Sequence, residues 1–289
     1  MRPANLPTAA GDIFAGLAMA GILKSTPGFG FFDGVDFWNS IILVGASVLL
    51  YAGGVVLNDV FDAKLDAVER PERPIPKGVV SLRAAALFGA SLLVLGIVGA
   101  FFVNALSGKI ALGLALAIIT YDGFSKKYDF LGPLNMGICR SLNLLLGMSV
   151  FGQLIHWWFI GIPLMYIFAI TLISRGEVHA DNKKNIIFAG ILYATVIFSV
   201  IGLMEYFNVR SIFSLLFLVL FAVLIFLPLR KAYISNTPKH IKKAVIAGVL
   251  SLIVLDAAMA VGFSEWWYGV LILCLMPLSI WLSKLFSVT

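Results

Sequence analysis

The chain has 289 residues, of which 61% are hydrophobic and only 12% charged, and its mean hydropathy is +1.00. Soluble domains carry about a quarter charged residues, so this composition excludes a water-soluble fold and implies an integral membrane protein. The net charge of +6 is spread over short loops that also hold most of the acids. A nucleic-acid binder would show a continuous basic face, so no nucleic-acid partner is expected.

Apolar runs of about 20 residues, the length that crosses about 30 Å of hydrocarbon, follow one another from end to end. They lie near residues 10–23, 38–57, 82–103, 106–121, 134–154, 158–173, 186–206, 212–229, 245–263 and 267–285. These are ten candidate spans, and nine is also compatible with the pattern. The first run follows a nearly neutral N-terminus and has no small-residue cleavage site, so it reads as a span and not as a removable signal. No long polar stretch or low-complexity linker separates the runs, and residues 1–289 are expected to form a single transmembrane domain. Cys139 and Cys274 fall within apolar runs and read as small hydrophobic residues, not as a disulfide.

Lys and Arg crowd one set of alternate loops: Lys64, Arg70, Arg73, Lys77 and Arg83; Lys126 and Lys127; Arg175, Lys183 and Lys184; and Arg230, Lys231, Lys239, Lys242 and Lys243. The other set holds only Lys24, Lys109 and Arg210. Short basic loops stay on the cytoplasmic side, so the expectation is a multi-pass protein of the cell membrane with both termini and the charged motifs in the cytoplasm.

After the second run comes LNDVFDAKLDAVERPERPIPKG, residues 57–78, with five acidic and four basic side chains. On a continuing helix Asn58, Asp62 and Asp66 share one stripe and Asp59 stands beside it. Stacked carboxylates repel unless a cation lies between them, and Mg²⁺ takes one or two carboxylates with water and phosphate completing its shell. The stripe therefore reads as a Mg²⁺-diphosphate site at the mouth of a helix bundle, the alternative being an acidic solvated loop. Beyond Glu69, Pro71, Pro74 and Pro76 forbid a regular helix, leaving a stiff strap that carries Arg70, Arg73 and Lys77. Arg forks match phosphate oxygens, although a purely topogenic role needs only their charge.

NDVFDAKLD followed by ERPERPIPKG resembles the first signature of the UbiA superfamily of intramembrane prenyltransferases. The resemblance implies an all-α bundle, usually of nine transmembrane helices, around a central cavity opening to the cytoplasmic side. It also implies a second acidic motif, D-x-x-x-D, after the sixth span. Here that place reads SRGEVHADNKKN, with Glu177 and Asp181 where the two Asp would stand and His179 between them. The string from Ser174 to His179 is similar to the EboC-like branch. Relative to the usual count, the run at 267–285 is either an extra helix or a sign that an earlier run is broken.

Further residues follow from the same resemblance. Tyr121 and Lys126, in TYDGFSKK, match a Tyr-then-Lys pattern near the prenyl diphosphate, with Asp122 adjacent; interfacial Tyr and snorkelling Lys are also ordinary at helix ends. Asn5 resembles an N-terminal substrate-facing Asn. Arg140 lies inside the fifth run near Asn135 and Asn143, and a charge at that depth costs about 2.5–3.5 kcal/mol, so it needs a partner or a task. A diphosphate or acceptor contact is expected, with a buried pair to Asp12 or Asp256 as the alternative. His156, Trp157, Trp158, Trp266, Trp267 and Tyr268 read as an aromatic belt, and His240 as part of a basic loop near lipid headgroups.

The implied activity is Mg²⁺-dependent transfer of an isoprenyl group from an allylic prenyl diphosphate to an unidentified acceptor at the membrane. Asn58, Asp59, Asp62, Asp66, Glu177 and Asp181 would hold the metal. Asn5, Arg70, Arg73, Tyr121, Lys126, Arg140 and Asn143 would bind substrate, with Asp62, Asp66 and Lys126 catalytic and Asp66 or Asp122 taking the proton. The rivals are a terpene cyclase of the same superfamily, which needs no acceptor, and a cation or solute transporter. Transporters usually carry their acids at midplane between repeats, and no repeat is visible.

Overall fold

In a computed structural model, described for residues 5–25, 34–177, 182–209 and 211–285, the first apolar run makes only a short helix, α1 (Leu6–Met19). Its 14 residues reach about 21 Å at 1.5 Å per residue, too short to cross a membrane alone. Gly21, with φ +84°, turns the chain into the single turn α2 (Ile22–Ser25), because only glycine takes that conformation without strain.

Nine further helical stretches are long and apolar enough to span, counted among the described residues. They contain α3 (Val35–Phe61), α5 (Leu82–Val103), α6 (Ala105–Gly123), α7 (Leu131–Met148), α8 (Gly161–Ser174), α9 (Lys183–Tyr206), α10 (Ile212–Ser235), α11 (Pro238–Phe263) and the pair α12 (Trp266–Leu273) and α13 (Leu275–Leu285). Between α3 and the strap lies α4 (Ala63–Glu69). The run at 267–285 is thus an additional span broken at Cys274, and the run at 10–23 is the short helix, which accounts for both nine and ten.

Asn104 shows how side chains lock these joints. It ends α5 and caps α6, accepting from Ser107 N at 2.8 Å while its amide donates to Ser149 O at 2.9 Å, which ties the α5–α6 turn to the end of α7. Outward faces carry Leu87, Phe102 and Phe198, each more than 70% exposed, as lipid-facing positions do.

The buried core falls into two apolar clusters, and α1 belongs to both. Ile13 and Leu17 pack with α3, α5, α6 and α7, whereas Ala15, Ala18 and Met19 pack with α7 through α12. Small residues permit this wedge. A Cβ on Gly16 would stand 2.5 Å from Leu144 O, and one on Gly147 2.5 Å from Ile13 O, so α1 and α7 meet backbone to backbone. That contact brings Asp12 of α1 beside Asn143 of α7.

The aromatic belt needs correcting at two positions. Tyr268 is buried and its hydroxyl donates to Phe14 O at 3.0 Å, holding α12 on α1. His156 likewise packs against the rings of Phe207 and Phe263, at 4.7 and 4.6 Å between centroids. Trp157 and Trp158, stacked at 3.8 Å, are exposed as a belt requires.

Candidate active site

A cavity of about 490 Å³ lies between the two halves of the bundle. Its rim is built from helix ends: Asn58, Asp59 and Asp62 at the end of α3, Tyr121 and Asp122 in the last turn of α6, Lys126 just beyond, Ser174 at the end of α8 and Glu177 after it. Ile118, Ile167, Ile170 and Leu252 supply apolar wall. Asn5, Thr8, Ser47, Arg140 and Asn143 form a polar floor. Ser47 and Asn58 share α3, which sets floor and rim about 16 Å apart.

Rim charges pair across elements distant in sequence. Lys126 Nζ donates to Asp62 Oδ1 at 2.6 Å, and Asn58 Nδ2 donates to Asp122 Oδ1 at 2.6 Å. The 3₁₀ turn Ser125–Lys127 that carries Lys126 is pinned by Asn135, whose amide donates to Ser125 Oγ at 3.0 Å. Arg175 pairs with Asp129 and donates to Tyr128 O at 2.6 Å, fastening the end of α8 to the loop before α7.

The acidic stripe survives, but its last member turns away. Backbone bonds run Asp62 N to Asn58 O at 2.9 Å and Asp66 N to Asp62 O at 2.8 Å, although α3 stops at Phe61 and α4 begins after Asp62. Asp66 is buried and does not line the cavity; it accepts from Arg73 at 2.6 Å. Arg73 also reaches Asp59 at 3.3 Å. The strap is a series of turns, with Lys77 N on Arg73 O at 2.9 Å and Gly78 at φ +77°, so it folds back over the acids. Arg73 stands behind the rim, and Arg70 is exposed on the strap; neither lines the cavity.

Arg140 lines the floor and has a structural partner as well. Its Nε lies 2.7 Å from Asp12 Oδ2, and its Nη2 donates to Thr8 O. Asn143 donates to Asp12 Oδ2 at 2.8 Å and to Ala9 O at 2.9 Å, and it accepts from Ser47 at 2.6 Å. The alternative of a buried pair with Asp12 is therefore realised. Asp181 and His179 lie outside the described residues, whereas Glu177 reaches the rim.

Thr8, Ser47 and Tyr51 line the cavity without having stood out in sequence, and Asp122 entered only as a candidate base. A seryl or threonyl residue in an apolar run is too common a feature to single out. For Asp122 the signal was its place beside Tyr121.

Mg²⁺ fits the donor set at the rim. Asn58, Asp59, Asp62, Asp122 and Glu177 offer oxygen ligands to the cavity, and Mg²⁺ needs only one or two carboxylates when phosphate and water complete its shell. Among the described residues no three His, Cys, Asp or Glu side chains converge as a metal site by themselves. Lys126 and Arg73 meanwhile hold Asp62 and Asp59, supplying positive charge to each carboxylate.

The sequence pattern of the UbiA prenyltransferase family matches residues 13–245. The chain belongs to that family. Among its relatives is the digeranylgeranylglyceryl phosphate synthase of Methanosarcina barkeri, 40% identical over 114 residues, which are 39% of each chain. Across the curated relatives it matches, the chain spans about half their length, from 39% to 57%. The UbiA fold itself extends further: a UbiA homologue from Aeropyrum pernix aligns over 88% of this chain and 97% of its own, with a TM-score of 0.68 and 16% identity. Another, from Archaeoglobus fulgidus and bound to GPP and Mg²⁺, aligns over 95% of this chain and all of its own, with a TM-score of 0.59 and 12% identity.

Proposed function

We propose that this UbiA-family chain is a prenyltransferase that moves an isoprenyl group from an allylic prenyl diphosphate to a small acceptor at the membrane, with Mg²⁺ as cofactor. The observation that carries this reading is the acid-and-lysine rim set over an open, largely apolar-walled cavity. The Archaeoglobus homologue's bound GPP and Mg²⁺ and the relatives' name as synthases of a prenylated lipid support it.

The diphosphate would sit at the rim, where Asn58, Asp59, Asp62 and Glu177 would hold Mg²⁺, and the sequence motif adds Asp181 to the candidate ligands. The bound metal supplies positive charge that offsets the charge developing on the diphosphate. Lys126, already aimed at the rim, adds a donor to the leaving oxygens, and Tyr121 a hydroxyl. The C1–O bond breaks with its electron pair going to the diphosphate. The allylic cation is sheltered from water by the apolar wall and aromatic rings. The acceptor nucleophile bonds to C1 and loses a proton, for which Asp122 is better placed than Asp66, since Asp122 lines the cavity and Asp66 is committed to Arg73. Arg73 and Arg70 act from the strap, Arg73 by holding Asp59 and Asp66 in place. Asn5, Arg140 and Asn143 face the acceptor. The basic loops at the rim end support a reading in which the rim faces the cytoplasm from the cell membrane and the chain forms one transmembrane domain.

The test is incubation of purified protein with Mg²⁺ and labelled C10 to C20 prenyl diphosphates in a host small-molecule extract, followed by mass analysis. Labelled adducts that vanish with EDTA are expected. Labelled hydrocarbon formed without any acceptor identifies a cyclase instead, and an absence of both products overturns the reading.

A further inference from the structure

The guanidinium on the cavity floor has its charge already matched. Arg140 Nε stands 2.7 Å from Asp12 Oδ2, and both side chains are buried. Asp256 of α11 adds a second carboxyl group against Asp12. It packs so closely on α1 that a Cβ at Gly11 would stand 2.7 Å from its Oδ2. Asp12 and Asp256 are fully buried, and among the described residues Asp12 Oδ1 and both Asp256 oxygens have no hydrogen-bond partner. Its contact with the guanidinium at 2.7 Å makes Asp12 the ionised member of the two, and Asp256 brings no positive charge. Arg140, Asp12 and Asp256 together therefore sum to zero or less.

Among the described residues, no other charged side chain lines the cavity at this depth. Lys126 is at the rim with Asp62, and the remaining polar floor groups, Asn5, Thr8, Ser47 and Asn143, are neutral. A carboxylate or phosphate brought there would lose its hydration and meet no net positive charge, a cost that a salt-bridged guanidinium does not offset. A hydroxyl exchanges water for neutral hydrogen bonds at little cost. We propose that the acceptor's polar end at this floor is uncharged and hydroxyl-bearing, and that Asp12 is the positioning residue which enforces this selectivity by neutralising Arg140. The inference rests on the transferase reading and names the acceptor class for it. It departs from what the phosphate-bearing product in the relatives' name would suggest.

The test uses the full chain in lipid nanodiscs with Mg²⁺ and labelled geranylgeranyl diphosphate. Acceptors are offered in two matched pairs: a 1-O-alkylglycerol against its phosphate, and 4-hydroxybenzyl alcohol against 4-hydroxybenzoate. The neutral member of each pair is expected to give at least about tenfold higher kcat/KM. Asp12→Asn, which takes away the carboxylate 2.7 Å from Arg140 Nε, should narrow or reverse that preference. Should Asp12→Asn not fold, the double variant Asp12→Asn/Arg140→Gln removes both charges, and it should keep the preference for neutral acceptors. An anionic acceptor preferred by the native protein, an unaltered preference in Asp12→Asn, or loss of neutral-acceptor selectivity in the double variant overturns the proposal. Where no acceptor is prenylated, thermal shift on the protein held with Mg²⁺ and a prenyl thiolodiphosphate decides: an added shift from the alcohols alone supports it, and none from the alcohols overturns it. Failure of the thiolodiphosphate itself to shift the protein with Mg²⁺ would instead remove the transferase reading beneath it.

Discussion

Lys126 Nζ lies 2.6 Å from Asp62 Oδ1, joining the loop after α6 to the end of α3 across a separation of 64 residues. The pair stands at the cavity rim, partly buried, with the two side chains 17% and 24% exposed. In the proposed function, Lys126 would leave Asp62 for the diphosphate when substrate binds. Replacing Lys126 by Met is expected to lower kcat/KM for the prenyl diphosphate by roughly 10- to 100-fold, the worth of one charge-assisted bond of about 1.5–3 kcal/mol. Steady-state kinetics with varied prenyl diphosphate checks this, and Lys126→Arg should recover part of the loss.

Arg73 gives a separable stability effect, because it compensates a buried Asp66 from the strap. Arg73→Ala should destabilise the protein by about 1–3 kcal/mol, since it strands a desolvated carboxylate. Asp66→Asn on top of Arg73→Ala should restore part of that stability. A double-mutant cycle on melting in detergent measures the coupling, and additive losses would mean that the pair does not interact.

Metal dependence is expected at both ends of the rim. With Mg²⁺ and a prenyl thiolodiphosphate, the native protein should show a thermal shift that Asp62→Asn and Glu177→Gln each reduce sharply. Mg²⁺ alone should shift every variant little, because phosphate oxygens complete its shell. Full retention of the shift in Glu177→Gln would confine metal binding to the end of α3.

The glycine contact between α1 and α7 predicts a mutation that damages the floor without touching a polar group. Gly147→Val places carbon where Ile13 O already stands, 2.5 Å from an ideal Cβ. It should lower the melting temperature strongly and abolish acceptor turnover. Gly113→Ala, whose Cβ would meet nothing within 4 Å, should leave both unchanged, and it serves as the control in the same melts.

Orientation can be read from two positions at opposite ends of the bundle. In a chain whose Cys139 and Cys274 are replaced by Ala, cysteines introduced at Lys77 and at exposed Gln153 should label with an impermeant maleimide from opposite faces of the membrane, Lys77 from the cytoplasm. Labelling of both from one face would contradict the bundle's topology.

Much of this molecule was legible along the chain because its signals are local. Twenty apolar residues announce a span wherever they occur, and the acids of α3 and the prolines of the strap carry their spacing within one short segment. The same locality made the UbiA resemblance visible and fixed which loops are basic. What sequence could not decide is where each polar side chain finds its partner. Asp12 reaches Asn143 across 131 residues, and Arg140 reaches Thr8 across 132, because Gly16 and Gly147 let two helices touch. Asp66 sits on the predicted stripe yet turns to Arg73, and Tyr268 sits in a belt-like string yet is buried on Phe14. Helical periodicity determines the face a residue occupies, but only the packing of one helix against another determines whether that face meets lipid, a cavity or a buried charge.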